Sequence, residues 1–369
     1  MKPMKIAILP GDGIGPEVMN EALKILRVLQ DQDVSFQTTI NILPWNSEYY
    51  LENGRMMPEN GLAILSDYDA ILFGAIGDER VPDPITIWEL IMPIRKKFKQ
   101  YVNLRPVKNL NGIQTPLFNQ DQHIDFVIIR ENAEGEYSNS GGRLYEGTQD
   151  ELAVQNTIIT RKGTEKIAKY AFEYARKTAG RKVTSATKSN AVIHSMKLWD
   201  EVVAGVAKEY PDIQLEKNYI DALSAYFVQR PDTFDVVVAS NLFGDILSDL
   251  GSALVGGLGL SPSANINPEK EYPSMFEPVH GSAPNIAGTG KANPIAQIWS
   301  TALMVEHLGR EDLATLIVNS IEDVLSEGEV LTPDLGGNGS TFQLGDAISN
   351  KLSERMEKNS EEGLHESKR

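Results

Sequence analysis

The chain of 369 residues contains no cysteine. That excludes a disulfide framework, a thiolate metal centre and a cysteine nucleophile, and it suits a reducing compartment. Basic residues are also scarce: 35 lysines and arginines face 51 aspartates and glutamates, a formal net charge of −16. An excess of that sign disfavours nonspecific binding to nucleic acid or to an anionic membrane surface. No stretch reaches the roughly 18 apolar residues that a transmembrane helix needs. The opening "MKPMKIAILPGDGIG" lacks the apolar core and small-residue cleavage site of a signal peptide, so the expected location is the cytoplasm.

Familiar motifs are missing too. "PGDGIGPE" carries Gly11, Gly13 and Gly15, but Pro16 stands where the dinucleotide fingerprint G-x-G-x-x-G needs its third glycine. There is no phosphate-binding "GK[ST]", and the five histidines show no metal-ligand spacing. No fixed-period repeat and no low-complexity linker occurs.

What is present is an alternation of short apolar strands and amphipathic helices. "KIAILP" is followed by "GPEVMNEALKILRVL", with Val18, Ala22, Ile25, Leu26 and Leu29 on one side, and then by "YDAILFGAIG". The strands "HIDFVIIR", "KVTSATKSN" and "FDVVVAS" alternate with the helices "GTEKIAKYAFEYARKTAG" and "MKLWDEVVAGVAKEYP". The pattern predicts an α/β protein around a largely parallel sheet, with any second domain intercalated in the chain. "ENAEGEYSNSGGRLYEGTQDELAVQNTIITRKG" reads as loops plus a polar hairpin or arm. "LSPSANINPEKEYPSMFEPVHGSAPNIAGTGKANP" reads as one long proline- and glycine-rich loop of the kind usually kept for function. The charged, aperiodic "EKNSEEGLHESKR" at the end reads as a frayed tail.

Several residues could carry chemistry. Asp245 and Asp249 stand at i and i+4 in "SNLFGDILSDLG", an uncompensated like-charge pair in an apolar run. A solvated helix end accounts for Asp245, and a divalent cation held by hard oxygen ligands accounts for both. Asp221 in "NYIDALSAYFV" is either a cap, a partnered acid or a third ligand. Arg95, Arg105 and Arg130 offer planar forks for carboxylates, the last two at expected strand ends, or else form structural ion pairs. Lys188 in "TSATKSN" becomes a general base if buried beside cations, and Tyr137 in "EGEYSNSGG" is either packing or an acid. His280 in "EPVHGSAPN" suits stacking or hydrogen bonding better than metal ligation.

Taken together, "LPGDGIGPEV", "NLRPVK", "VIIRENAEGEYS", "TSATKSN", "NLFGDILSDLG" and "EPVHGSAPNIAGTGKANP" resemble the β-decarboxylating dehydrogenases, the isocitrate and isopropylmalate dehydrogenase superfamily. The resemblance runs from about residue 4 to about residue 350, with six motifs in the family's order. "VPDPITIWELIMPIRKKFKQYVNLRPV" and "GEYSNSGGR" look most like the branch of tartrate and D-malate dehydrogenases. The resemblance implies a two-domain α/β/α sandwich that is not a Rossmann fold. It implies a large, cofactor-binding domain of residues 1–102 and 254–369, and a small domain of residues 103–253 for dimerisation, metal and substrate. An interlocking arm at about 138–162 would join two copies into a homodimer with shared active sites.

By the same resemblance, Asp245 and Asp249 bind Mg2+ or Mn2+ together with Asp221 of the partner subunit. Arg95, Arg105 and Arg130 hold substrate carboxylates, and Tyr137 and Lys188 are the acid/base pair, Lys188 coming from the partner. His280, Gly281, Ala283, Asn285 and Asn293 match positions around the adenosine half of NAD, and Asn190 one near the nicotinamide. K+ is a further ion to test. Two positions depart from the pattern: Asn285 replaces the aspartate common after "HGSAP", which weakens discrimination against NADP, and Ala191 replaces glycine after "KSN". Bulky Trp88, before Arg95, implies a pocket for a hydrogen or hydroxyl at the γ-carbon, hence D-malate or tartrate over isopropylmalate. The rivals are a 3-isopropylmalate dehydrogenase, a noncatalytic regulatory subunit that would tend to lose the acid/base or metal residues, and a plain carboxylate-binding protein.

Overall fold

Strand β1 (Met4–Gly11) is built from Ile6, Ala7, Ile8 and Leu9, all fully buried. Helix α1 (Gly15–Gln32) lays Val18, Ala22, Ile25, Leu26 and Leu29 into the same core. Each of the valine, leucine and isoleucine side chains contributes about 1.5–3 kcal/mol when fully buried, so this pair alone fixes much of its surroundings. In the computed structural model, which describes residues 3–117, 123–178 and 181–366 and side chains as far as 359, the chain forms two compact units.

The first unit comprises residues up to Phe98, Asn109–Pro116 and the chain from Ser252 onward. After α1 come β2 (Thr38–Ile42), α2 (Ser47–Asn53), α3 (Gly61–Leu65), β3 (Ala70–Ala75), α4 (Asp83–Thr86), a π-helical turn at Ile87–Ile91 and α5 (Met92–Lys97). The rest of the unit supplies β11 (Pro262–Ile266), β12 (Ser274–Pro278), α10 (Ile295–His307), α11 (Glu311–Glu327) and α12 (Thr341–Glu366). Its strands lie in the order β2-β1-β3-β12-β11, parallel except for the β11/β12 pair.

The second unit comprises Lys99–Lys108 and Leu117–Gly251. It contains β4 (Val102–Lys108), β5 (Asp125–Glu131), β6 (Gly141–Leu144), β7 (Leu152–Gln155) and α6 (Arg161–Lys177). Then follow β8 (Lys182–Thr187), α7 (Ser195–Ala207), β9 (Gln214–Tyr219), α8 (Ile220–Gln229), β10 (Val236–Ala239) and α9 (Asn241–Leu254). The order is β4-β5-β10-β8-β9, antiparallel only between β4 and β5. β3 and β10 are buried along their whole length, which is why both read as unbroken apolar runs.

Three expectations from the sequence change here. The supposed long loop at 260–294 contains the antiparallel pair β11/β12, hidden by prolines at the first residue of one strand and the last of the other, positions that strands tolerate. The charged C-terminal stretch continues α12 as far as Glu366, because lysine and glutamate are good helix formers even without an apolar period; residues 367–369 of that stretch lie outside the described ones. The hairpin β6/β7 is less polar than it reads, since Leu144, Tyr145, Leu152 and Val154 are all exposed on it.

Candidate active site

In the second unit, two neighbouring strands and one helix converge on a single carboxylate. Arg105 is not at a strand end but in the middle of β4, where the antiparallel register sets it opposite Ile128 of β5. Arg130 is the penultimate residue of β5 and is 2% exposed. Helix α9 approaches β5 closely because residue 244 is glycine: a Cβ there would lie 2.6 Å from Cβ and Cγ of Arg130. The next residue is Asp245. Its Oδ1 accepts from Nη1 of Arg105 at 3.1 Å and from Nη1 of Arg130, and its Oδ2 accepts from the Tyr137 hydroxyl at 2.9 Å.

The like-charge conflict between Asp245 and Asp249 is therefore met within the chain by two arginines. The setting also differs from the apolar burial expected for it. Ile246 is 53% exposed and Asp249 is exposed, so this face of α9 is open rather than deep. Among the described residues, no group of three acids or histidines in one chain could hold a metal ion. Asp245 and Asp249, one turn apart on that open face, still offer the hard oxygens that suit a divalent cation.

Further side chains, not foreseen from the sequence, fix the cluster. Asn241 Oδ1 accepts from Nε and Nη2 of Arg130 at 3.1 and 2.7 Å, and Ser248 Oγ accepts from Nη1 of Arg105 at 2.5 Å. Glu136 accepts the Leu242 amide at 3.1 Å at the start of α9, a favourable place for an anion, so the residue before Tyr137 is tied to the helix that carries Asp245. Burial and the adjoining Asp245 carboxylate push the Tyr137 phenol above its ordinary range, which keeps it a proton donor. The only sequence signal for these ties was the glutamate spacing of "ENAEGEY".

Glu131 gives a test of this loop. Its oxygens accept the amides of Ala133 and Glu134, both at 2.9 Å, while burial pushes its carboxyl from 4.5 up to about 7. A carboxyl raised on folding contributes stability at low pH that is lost as pH rises through the folded value, here between about 4.5 and 7. Glu131→Gln removes that dependence. Denaturant unfolding is expected to show the variant gaining up to about 3 kcal/mol on wild type between pH 5 and pH 8, and an equal difference at both would contradict it.

Elsewhere in the second unit, Lys188 follows β8 and donates from Nζ to Asp221 Oδ1 at 2.5 Å. Its neighbour is thus an acid rather than the cations or metal expected beside it. Asp221 lies in the first turn of α8 with its side chain 68% exposed, and the Lys188 ammonium holds its carboxyl below the usual range. Asn190 is exposed in the turn after Lys188.

In the first unit, Arg95 on α5 pairs with Glu277 of β12 at 2.8 Å, and its buried Nε has no partner among the described residues. Asn265 Nδ2 donates to the same Glu277 oxygen at 2.7 Å. Trp88 sits in the π-helical turn, an irregularity frequent at functional sites, half-buried with Lys96 Nζ 5.0 Å from its ring centre. The loop after β12 carries His280, Gly281, Ala283 and Asn285. His280 Nδ1 lies 2.9 Å from the Gly281 carbonyl, its buried Nε2 has no partner among the described residues, and burial lowers its pKa. Ala283 is held in the left-handed region at φ 41°, a strained setting for a residue with a Cβ. Asn293 is internal: Nδ2 donates to Asp334 at 2.9 Å and Oδ1 accepts the Ile295 amide at 3.0 Å. A cavity of about 650 Å3 lies between residues 281–284 and the loop after β3, Ile76–Gly77–Asp78–Glu79 with Val81–Asp83. That second wall was not foreseen. The His280 nitrogen, without a partner among the described residues, exposed Asn285 and this cavity in one unit suit a nucleotide cofactor.

Residues 5–348 match the family model for isocitrate/isopropylmalate dehydrogenase, and the chain belongs to that family. It is 49% identical over 353 residues to the probable tartrate dehydrogenase/decarboxylase of Bacillus subtilis (strain 168), covering 95% of this chain and 99% of the relative. It is also 49% identical over 356 residues to the D-malate dehydrogenase (decarboxylating) of Escherichia coli (strain K12), covering 94% and 98%. The crystal structure of isocitrate dehydrogenase from Methylococcus capsulatus matches 95% of this chain and 99% of that one, at 34% identity and a TM-score of 0.86. Among the described residues, no helix is long and apolar enough to cross a membrane.

Proposed function

We propose that the chain is a cytoplasmic, NAD- and divalent-metal-dependent dehydrogenase that oxidises a small 2-hydroxy dicarboxylic acid, D-malate or tartrate. Decarboxylation follows where the substrate allows it, giving pyruvate and CO2 from D-malate. The observation that carries this reading is Asp245, at once paired with two arginines and bonded by a tyrosine hydroxyl. Such a cluster joins carboxylate forks, an acid and a hard-oxygen ligand within one unit. The names of the relatives point to the same substrates.

Arg95, Arg105 and Arg130 would clamp the two carboxylates and orient the hydroxyl-bearing carbon, work for which a planar fork is suited. Asp245 and Asp249, with Asp221 of the partner subunit, would hold Mg2+ or Mn2+, while His280, Gly281, Ala283, Asn285 and Asn190 would hold NAD, with Asn293 bracing the loop. When bound, the cation supplies Lewis acidity at the substrate oxygen and NAD supplies the hydride acceptor. Lys188 of the partner subunit would take the hydroxyl proton as hydride leaves, and Tyr137 would protonate the enol carbon left after CO2 departs. A homodimer is supported by the exposed apolar residues of the β6/β7 arm and by Ile246 beside the aspartates. K+ belongs in the test as an activator.

The test is one assay panel: D-malate, the tartrates, isopropylmalate and isocitrate, each with NAD or NADP, manganese, and with or without K+. D-malate or a tartrate with NAD is expected to give the highest kcat/KM. Trp88→Ala should shift preference toward isopropylmalate by about tenfold, the scale of one or two methylenes in a pocket. An unchanged ratio would remove Trp88 from the specificity pocket, and no turnover of any hydroxy acid would remove the proposed reaction.

A further inference from the structure

The glycine-rich "PGDGIG" failed as a phosphate-binding fingerprint, yet its geometry is highly constrained. Gly13 has φ +57°, and a Cβ on it would lie 2.0 Å from the Ser282 carbonyl oxygen, so no other residue fits without displacing that backbone. On one side the Ile14 amide donates to the Ser282 carbonyl at 2.8 Å. On the other the Asp12 amide donates to the Ala75 carbonyl at 2.8 Å, just ahead of the wall that begins at Ile76. The Asp12 side chain, in a residue 8% exposed, is directed to the same wall. Its Oδ2 accepts the Gly77 amide at 2.9 Å and the Ser47 hydroxyl at 2.6 Å, and its Oδ1 accepts the Ser47 amide at 3.0 Å. Three donors thus converge on two carboxylate oxygens, and one short loop grips both walls of the 650 Å3 cavity.

We propose that Asp12 is a positioning residue for the nicotinamide nucleotide: without touching it, Asp12 sets the spacing of the 76–83 and 281–284 walls and so the cofactor's affinity. The inference rests on the reading of that cavity as the cofactor site. A carboxylate is required because only it presents acceptors to all three donors. Asparagine keeps the shape but turns an NH2 group on Ser47 or on Gly77, leaving a buried donor without an acceptor. The wall keeps a second tie to α2, since Arg80 bonds both Asp78 and Glu48 at 2.8 Å. Loss of Asp12 therefore loosens the wall rather than releasing it.

The experiment is NADH binding by calorimetry on full-length wild type, Asp12→Asn and Ser47→Ala, with steady-state kinetics in parallel. Asp12→Asn is expected to weaken NADH binding and raise KM for NAD about tenfold, with KM for the hydroxy acid and kcat within about twofold; Ser47→Ala, losing one of three donors, should weaken binding about threefold. A lowered melting temperature with unchanged NADH affinity would assign Asp12 a purely structural role and overturn the proposal. If Asp12→Asn does not fold, Ser47→Ala decides, and NADH affinity equal to wild type overturns it. Wild type that binds no nicotinamide nucleotide would instead refute the cofactor reading, a distinct result.

Discussion

Lys188→Met is expected to lower kcat on the preferred hydroxy acid by about 10^3-fold, within the usual range for a lost general base. Chemistry rather than folding should bear the loss. The ammonium pairs with a carboxylate in the open first turn of α8, and exposed pairs of this kind contribute little to stability. The melting temperature should stay near that of wild type. The measurement is steady-state kinetics with a melting curve on the same preparation. Activity within tenfold of wild type would remove Lys188 from the proton-transfer step.

Arg130→Met should act in the opposite way, on fold and activity together. The Arg130 side chain is 3% exposed and supplies donors to both the Asn241 carbonyl and the Asp245 carboxylate. Removing one member of a buried pair typically costs 3–5 kcal/mol; Asp245 is partly solvated and keeps Arg105 and Tyr137, which puts the expected loss near the lower end, about 3 kcal/mol. Turnover should fall by more than about 10^2-fold, because one fork for the substrate carboxylate goes with it. Denaturant unfolding and kinetics check the two halves separately. A stable Arg130→Met protein with wild-type turnover of the hydroxy acid would contradict both.

Much of the architecture was legible because period and burial agree. α1 shows its apolar face at helical spacing, and β10 is an unbroken apolar run because both its faces are covered. β11 and β12 were not legible, since strands that open and close on proline and carry serine and asparagine have no apolar signature. Site residue types were readable from their spacing, but their partners were not. Nothing local in "NLRPVK" says that Arg105 meets an aspartate 140 residues further on, because strand register decides that contact. Asp12 was passed over for a similar reason. Its neighbours suggested a phosphate loop, while its bonds run to residues 35 and 65 positions away.

Asp245 also has the chemistry of the ligand its neighbours are proposed to receive. It is a carboxylate seated in two guanidinium forks, with a tyrosine hydroxyl at its second oxygen. It keeps the two arginines aligned and balances part of their charge. On the proposed function, a substrate carboxylate would share these arginines with Asp245 rather than meet bare positive charge. Helix α9 thus presents, in Asp245, a carboxylate held among arginines as an acid ligand's would be.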